Sequence, residues 1–250
     1  MKKYLSIFRI KFVNTLQYRS AAIAGLTTQF AWGFMLNLGF IAFYRSDPTA
    51  FPMQLHETIS YIWMQQAFLA LYALWFWEND ISASITEGNI AYDLVRPIGI
   101  YERWFCQSLA SRLARAALRF IPILLVGVFL PQPLRLVLPS ITQLLLFLTS
   151  TALALGVVVA FTMLMYISIF YTISSSGVRL ITASLGDFLG GAIIPLPFFP
   201  APWRQIAELL PTGSMMNVPL RIYSGNISGI DALSGMGLQI FWILVLVISG

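Results

Sequence analysis

Charge is what this chain has least of. Only 10% of its 250 residues are charged, 58% are hydrophobic, and the mean hydropathy is +0.78. Soluble domains carry about 25% charged residues, so this composition lacks the polar surface needed to cover a water-facing globule. Lysine occurs only at Lys2, Lys3 and Lys11. A phosphate-cradling Gly-x-x-x-x-Gly-Lys-[Ser/Thr] loop needs a lysine at its end. The chain holds no such motif, and any ATP hydrolysis must come from another polypeptide. Cys106 is the single cysteine and His56 the single histidine. That excludes an intrachain disulfide and a Cys-based metal site, and it removes most zinc and His-base chemistry. No catalytic constellation and no metal-ligand spacing is present. The net charge of +5 comes without a groove-reading helix or an aromatic-interleaved basic stripe, so nucleic acid is not an expected partner.

What the chain does have is long uncharged runs. A span needs about 20 apolar residues to cross a hydrocarbon core of about 30 Å, and roughly half a dozen crossings fit. The sequence predicts spans at about 20–44, 58–77, 108–130, 139–170, 178–194 and 232–250. The second ends in Trp75, Phe76 and Trp77, as at a membrane interface. Arg112, Arg115 and Arg119 precede the apolar core of the third at helical spacing, where long basic side chains snorkel to headgroups. Residues 136–178 are uncharged throughout, with Gly156 as the one plausible breaker; a single long helix is preferred to two. A polar turn, 172–177, then reverses the chain. Gln65, Gln66, Asn37 and Gln143 are intramembrane amides of the kind that join helices. The last span ends bare at Gly250, so a short natural continuation is expected.

Residues 1–19 read as an amphipathic interfacial helix. Tyr4, Leu5, Phe8, Phe12 and Leu16 share one face, and Lys2, Lys3, Arg9 and Lys11 the other. A signal peptide would not break its apolar core with Arg9 and Lys11. With the N-terminus inside, eleven basic residues fall on the cytoplasmic side and four outside, namely Arg45, Arg135, Arg204 and Arg221, a positive-inside bias. The expected fold is an all-α polytopic membrane protein with one transmembrane domain, 20–250, and both ends cytoplasmic.

Two segments are neither span nor simple loop. Residues 78–103 hold Glu78, Asp80, Glu87, Asp93 and Glu102, half of the acidic residues. Asp80 or Ser82 can cap a short helix there, Gly88 can end it, and Pro97 stops the apolar turn of Ile90, Leu94 and Val95. Such a knob suits the groove of another protein; an ordinary connecting loop is the plainer alternative. Residues 195–212 carry Pro195, Pro197, Pro200 and Pro202 among apolar and aromatic neighbours, Phe198 and Phe199 included. A regular helix is forbidden at the prolines, and a re-entrant element in the outer leaflet fits. It reads either as an extracellular gate (Pro195, Pro197, Phe198, Phe199, Pro200) or as a rigid cap that packs the helices.

These segments resemble the ABC-2-type permeases of ATP-binding-cassette exporters, in the branch with a Glu-Gly-Asn-Ile-Ala-Tyr-Asp-Leu-Val-Arg-Pro loop, here Glu87–Pro97. Gly191–Pro200, Leu209–Pro211, the N-terminal amphipathic helix and the order of spans match the same branch. The resemblance implies six spans, with the Pro-rich extracellular hairpin between the fifth and sixth. It implies a dimer with a second permease copy or a homologue, in the plasma (inner) membrane of a prokaryote. Its other partners would be cytosolic cassette ATPases, which would bind the ATP and Mg; this chain would hold no cofactor. The coupling residues would be Asp80, Ile85, Glu87, Gly88, Asn89, Asp93, Arg96 and Pro97. The branch's basic cytoplasmic tail is missing after Gly250.

Asp187 is the one ionisable residue deep in a predicted span, where a bare carboxylate costs on the order of 2.5–3.5 kcal/mol. It lines a translocation pathway or permease interface, or it is a hydrogen-bonded structural carboxyl; both readings stay open. The leading expectation is an exporter subunit moving an amphipathic or hydrophobic substrate, such as a drug, antibiotic or lipid-like molecule. The alternative is a secondary transporter or channel without an ATPase. A membrane anchor or scaffold has no positive feature in the sequence.

Overall fold

The computed structural model describes residues 2–47, 51–172 and 174–250, and among these every regular element is helical. The helices are α1 (Lys2–Leu16), α2 (Arg19–Ser46), α3 (Leu55–Tyr72), α4 (Asn79–Thr86), α5 (Ile90–Leu94), α6 (Ile100–Ala117), α7 (Phe120–Phe129), α8 (Ile141–Thr172), α9 (Ser175–Leu189), α10 (Ala201–Leu209), α11 (Pro211–Ser224) and α12 (Gly229–Ser249), with a 3-10 turn at Leu196–Phe198. Among the described residues, three stretches are long and apolar enough to cross a membrane: Ser20–Ser46, Ile141–Thr172 and Gly229–Ser249. The chain is a helical membrane protein. Ile173, part of the polar reversal expected at 172–177, lies outside the described residues.

The longest apolar run is one helix, and Gly156 does not break it. A Cβ there would lie 3.0 Å from Ile243 Cδ1, so the glycine lets α12 approach α8. Elsewhere the predicted bounds shift for identifiable reasons. α3 starts at Leu55, where the Gln54 N–H donates to Glu57 Oε2 at 2.9 Å. It stops at Tyr72 instead of running to Trp77. The stretch predicted as 108–130 is two helices, beginning at Ile100 and interrupted at Leu118 and Arg119. Pro122 explains the break, because a proline ring clashes with the carbonyl four residues back, here that of Leu118. α9 covers 175–189, not 178–194. The Ser174 hydroxyl accepts from the Gly177 N–H at its start, and Gly191 takes a positive φ of 80° just past its end.

The interior is built on α3, α8 and α11. No element was expected over 213–231, yet from Thr212 to Tyr223 every residue of α11 except Arg221 is buried. Thr212, Ser214, Asn217 and Pro219 hide this helix from an apolar-run reading. Buried polar contacts hold it in place. Gln239 of α12 donates to the Ser214 carbonyl at 2.9 Å and accepts from Ser150 of α8 at 3.1 Å. The Met163–Tyr166 stretch is core packing, with Met163, Met165 and Tyr166 buried. Gln143 caps the start of α8 and joins no helices among the described residues: the Ser140 N–H donates to its Oε1 at 3.0 Å, and its backbone N–H donates to Ser140 Oγ at 3.3 Å.

At one end of the bundle, the basic end, α1 packs along α6 and reaches α4 and the turn after α5. Lys3 Nζ donates to the Pro97 carbonyl at 3.0 Å. At the far end, Phe198 lies 4.9 Å from Phe40 and 5.8 Å from Phe51, ring centre to ring centre.

Candidate functional site

Glu78 organises the basic end. Its residue is only 5% exposed, and a carboxylate that deep must be paired. Lys11 Nζ lies 2.7 Å from Glu78 Oε2 and Arg115 Nη2 3.3 Å from Oε1, while the Ser111 hydroxyl donates to Oε1. The Glu78 backbone N–H donates to the Tyr166 hydroxyl at 2.8 Å. One residue thus fastens the start of α4 to α1, α6 and α8. Lys11, expected on the polar face of α1, turns inward for this contact and also reaches Asp80 at 3.4 Å. Burial opposes its charge, but hydrogen bonding to Glu78 and the attraction of Glu78 and Asp80 outweigh burial and raise its pKa above 10.5.

Arg112 corrects an expectation. It does not snorkel; it is 1% exposed. Its guanidinium donates to the carbonyls of Leu71 (3.2 Å), Ala73 (2.7 Å) and Phe76 (3.0 Å) and to Thr162 Oγ1 (3.2 Å). Residues 73–78 leave the helix without stranding buried acceptors because this side chain satisfies them.

The segment expected to couple to a partner follows directly. Neither Asp80 nor Ser82 caps α4; Glu78 occupies the N-cap position and Asp80 lies in the first turn. Ile85 packs toward the core, Glu87 is the C-cap, and Gly88 has a φ of 76°. Asn89 Nδ2 donates to Glu87 Oε2 at 3.0 Å across that turn. On α5, Asp93 pairs with Arg103 and lies 3.7 Å from Arg96. This pinning leaves Tyr92, Leu94 and Val95 on the outside, Val95 at 82% exposure.

A lateral cavity of about 670 Å³ opens between α2, α3 and α9, with Gln29, Gln65, Trp32, Trp75, Arg119 and Asp187 in its wall. Gln65 Nε2 donates to the Ala192 carbonyl at 2.7 Å. Gln29 is buried, and its amide has no hydrogen-bond partner among the described residues. Small residues flank Asp187 on α9. Gly186 lies against Leu74, and a Cβ at Gly190 would lie 3.2 Å from the Thr212 carbonyl, whereas Ser184 is exposed.

The proline-rich residues form a separate group at the far end. Pro195 and Pro197 are buried, Pro200 is exposed at the N-cap of α10, and the Phe199 and Phe188 ring centres are 5.5 Å apart. The structure therefore gathers Glu87–Pro97 at the basic end, places Asp187 on the cavity wall and sets Pro195–Pro200 apart from both. Sequence reasoning gave Glu78 no role beyond being one of the acids of 78–103, and took Arg112 for a snorkelling side chain. Their partners lie on α1, α6, α8 and the 71–76 chain, and no local spacing announces such contacts. Comparison with known proteins found no family model, no curated protein and no solved structure that matches this chain.

Proposed function

We propose that the chain is the transmembrane permease subunit of an ABC-2-type exporter, driven by ATP hydrolysis in separate cytosolic cassette subunits. The observation that carries this reading is the α4–α5 knob, an exposed apolar tip of Tyr92, Leu94 and Val95 on a short helix pinned by Asp93 and Arg103. A rigid tip suits docking better than a solvated loop does, because little ordering entropy remains to be lost on binding. Movement of the tip passes into the bundle through Glu78, which is fastened to α1, α6 and α8. The six crossings are α2, α3, α6 with α7, α8, α9 with the turns after it, and α12, with the N-terminus cytoplasmic. In this topology 195–212 is the extracellular hairpin, and the Asp187 cavity belongs to the path of an amphipathic substrate between two permease copies in a prokaryotic plasma membrane.

The test is affinity purification of the tagged chain from its native membrane. A cassette ATPase should co-purify, and the D93A or Y92A/V95A variant should lose it while keeping its elution volume. Transport that persists in vesicles stripped of every cassette ATPase would favour a secondary carrier, for which the intramembrane Asp187 is the specific feature.

A further inference from the structure

We infer that two adjoining cavities form one binding site for an anionic membrane phospholipid, its phosphate held by Arg119 and Arg179 and one acyl chain lying between α2, α3 and α9. The inference does not depend on the exporter reading.

The argument starts from the arginine row of α6 and the residues after it. Arg112 is consumed by three carbonyls and Arg115 by Glu78. Arg119, next in the row, has no acidic partner among the described residues. Its side chain's one hydrogen bond among the described residues is a long one, 3.4 Å from Nη2 to the Ala21 carbonyl, and its buried Nε has none. The guanidinium carbon lies 5.8 Å from the Phe76 ring centre. Gly25 makes room for it: a Cβ there would stand 2.6 Å from Arg119 Cζ and 2.7 Å from Nη2. A guanidinium set into a slot without a counter-ion attracts an anion.

A cavity of about 520 Å³ surrounds this slot at the basic end. Its wall holds four cations (Lys11, Arg115, Arg119 and Arg179) against two carboxylates (Glu78 and Asp80). Those carboxylates are already paired with Lys11 and Arg115. The surplus is two positive charges, borne by Arg119 and by Arg179, whose side chain has no ion-pair or hydrogen-bond partner among the described residues. Basic pockets between membrane helices bind anionic headgroups on these terms.

The second half of the site is the lateral cavity, which shares Trp75, Phe76 and Arg119 with the first. Beyond Arg119 its wall includes Trp32, Leu36, Leu69 and Ile193, a surface for an acyl chain. Gln29, one turn along α2 from Gly25, offers its unpartnered amide to the glycerol esters next to the phosphate. Of these two cavities, Asp187 borders the lateral one and not the basic-end one. Its carboxylate repels a phosphate there and leaves the headgroup at the Arg119–Arg179 end.

The test uses the full chain in neutral maltoside micelles and follows tryptophan fluorescence, since Trp32 and Trp75 line the site. Phosphatidylglycerol and phosphatidylcholine, each brominated in its acyl chains, are titrated as quenchers. Phosphatidylglycerol should quench at the lower concentration, and its preference should fall about fivefold per arginine in R179Q and again in R119Q/R179Q. R45Q, at the opposite end of α2, should keep the preference. Arg179 is exposed, so R179Q is expected to fold even if the double variant does not. Equal quenching by the two lipids, or an unchanged preference in R179Q, would overturn the site. Complete relief of quenching by millimolar inorganic phosphate would assign it to free phosphate and overturn the lipid.

Discussion

Lys11 Nζ and Glu78 Oε2, far apart in the chain, lie 2.7 Å from each other and join the N-terminal helix to the N-cap of α4. Packing along α6 alone would leave α1 free to slide along that helix. This ion pair fixes its position against the segment proposed to receive the ATPase.

The E78Q substitution should therefore release α1. Lys11 and Arg115 lose their carboxylate, and tryptic cleavage at Arg9 should quicken about fivefold, consistent with a loss of about 1 kcal/mol from a partly buried pair. The pH dependence follows from the raised pKa of Lys11. A group raised on folding contributes stability that is whole below its unfolded value and is lost as pH climbs through the folded one. The wild-type tie should persist through neutral and mildly alkaline pH and loosen only above the ordinary lysine value of 10.5. Release of α1 at about pH 8 would contradict this assignment.

Arg112 should be the most costly arginine to replace. R112M strands the carbonyls of Leu71, Ala73 and Phe76, each buried acceptor costing about 1–3 kcal/mol. The total should reach about 3 kcal/mol or more, seen as a large fall in detergent melting temperature and in yield. R112K, with one ammonium in place of a planar fork, should recover only part of it. An R112M protein that melts within a degree or two of wild type would remove Arg112 from its structural role.

The long apolar helices were legible in the sequence because their signal is local: uninterrupted hydrophobic residues covering α2, α8 and α12. α11 was not, since its Thr212, Asn217 and Pro219 look like loop residues until α3, α8 and α12 surround them. The break before α7 had a local sign in Pro122, which was masked by the apolar run around it. The 78–103 segment was readable in part, with Gly88 as the end of α4 and Pro97 as the stop after α5. Its anchor at Glu78 was not, because all three side-chain partners of that carboxylate come from other helices. Polar contacts between distant segments are set by the fold, and the sequence alone offers no spacing from which to read them.

Gly88 separates backbone conformation from side-chain chemistry. Its φ of 76° is costly for a branched residue and mild for asparagine. G88V should cost about 1–2 kcal/mol locally and reorient α5, whereas G88N should be nearly silent. If α5 is the docking element, G88V in reconstituted complexes should lose stimulation of the partner's ATPase by transport substrate, with the melting of α8 and α12 unchanged. Equal stimulation in G88V and G88N would argue that the orientation of α5 does not matter to the partner.

Asp187 offers the sharpest separation of function from structure. Its carboxyl makes no side-chain hydrogen bond or ion pair among the described residues, although it borders the lateral cavity. The neighbouring backbone is secured without it: the Ala192 N–H donates to the Asp187 carbonyl at 2.9 Å, and Gln65 takes the Ala192 carbonyl. D187N therefore preserves shape while removing a charge that, in the proposed topology, costs about 2.5–3.5 kcal/mol in the bilayer. A carboxylate kept for the pathway should show opposite signs in two assays. D187N should melt at the same temperature or higher, while transport falls about tenfold, equivalent to about 1.4 kcal/mol of lost barrier stabilisation. A structural carboxyl would lower the melting temperature or dissociate the assembly together with the loss of transport. No change in either assay would leave Asp187 without a part in the pathway.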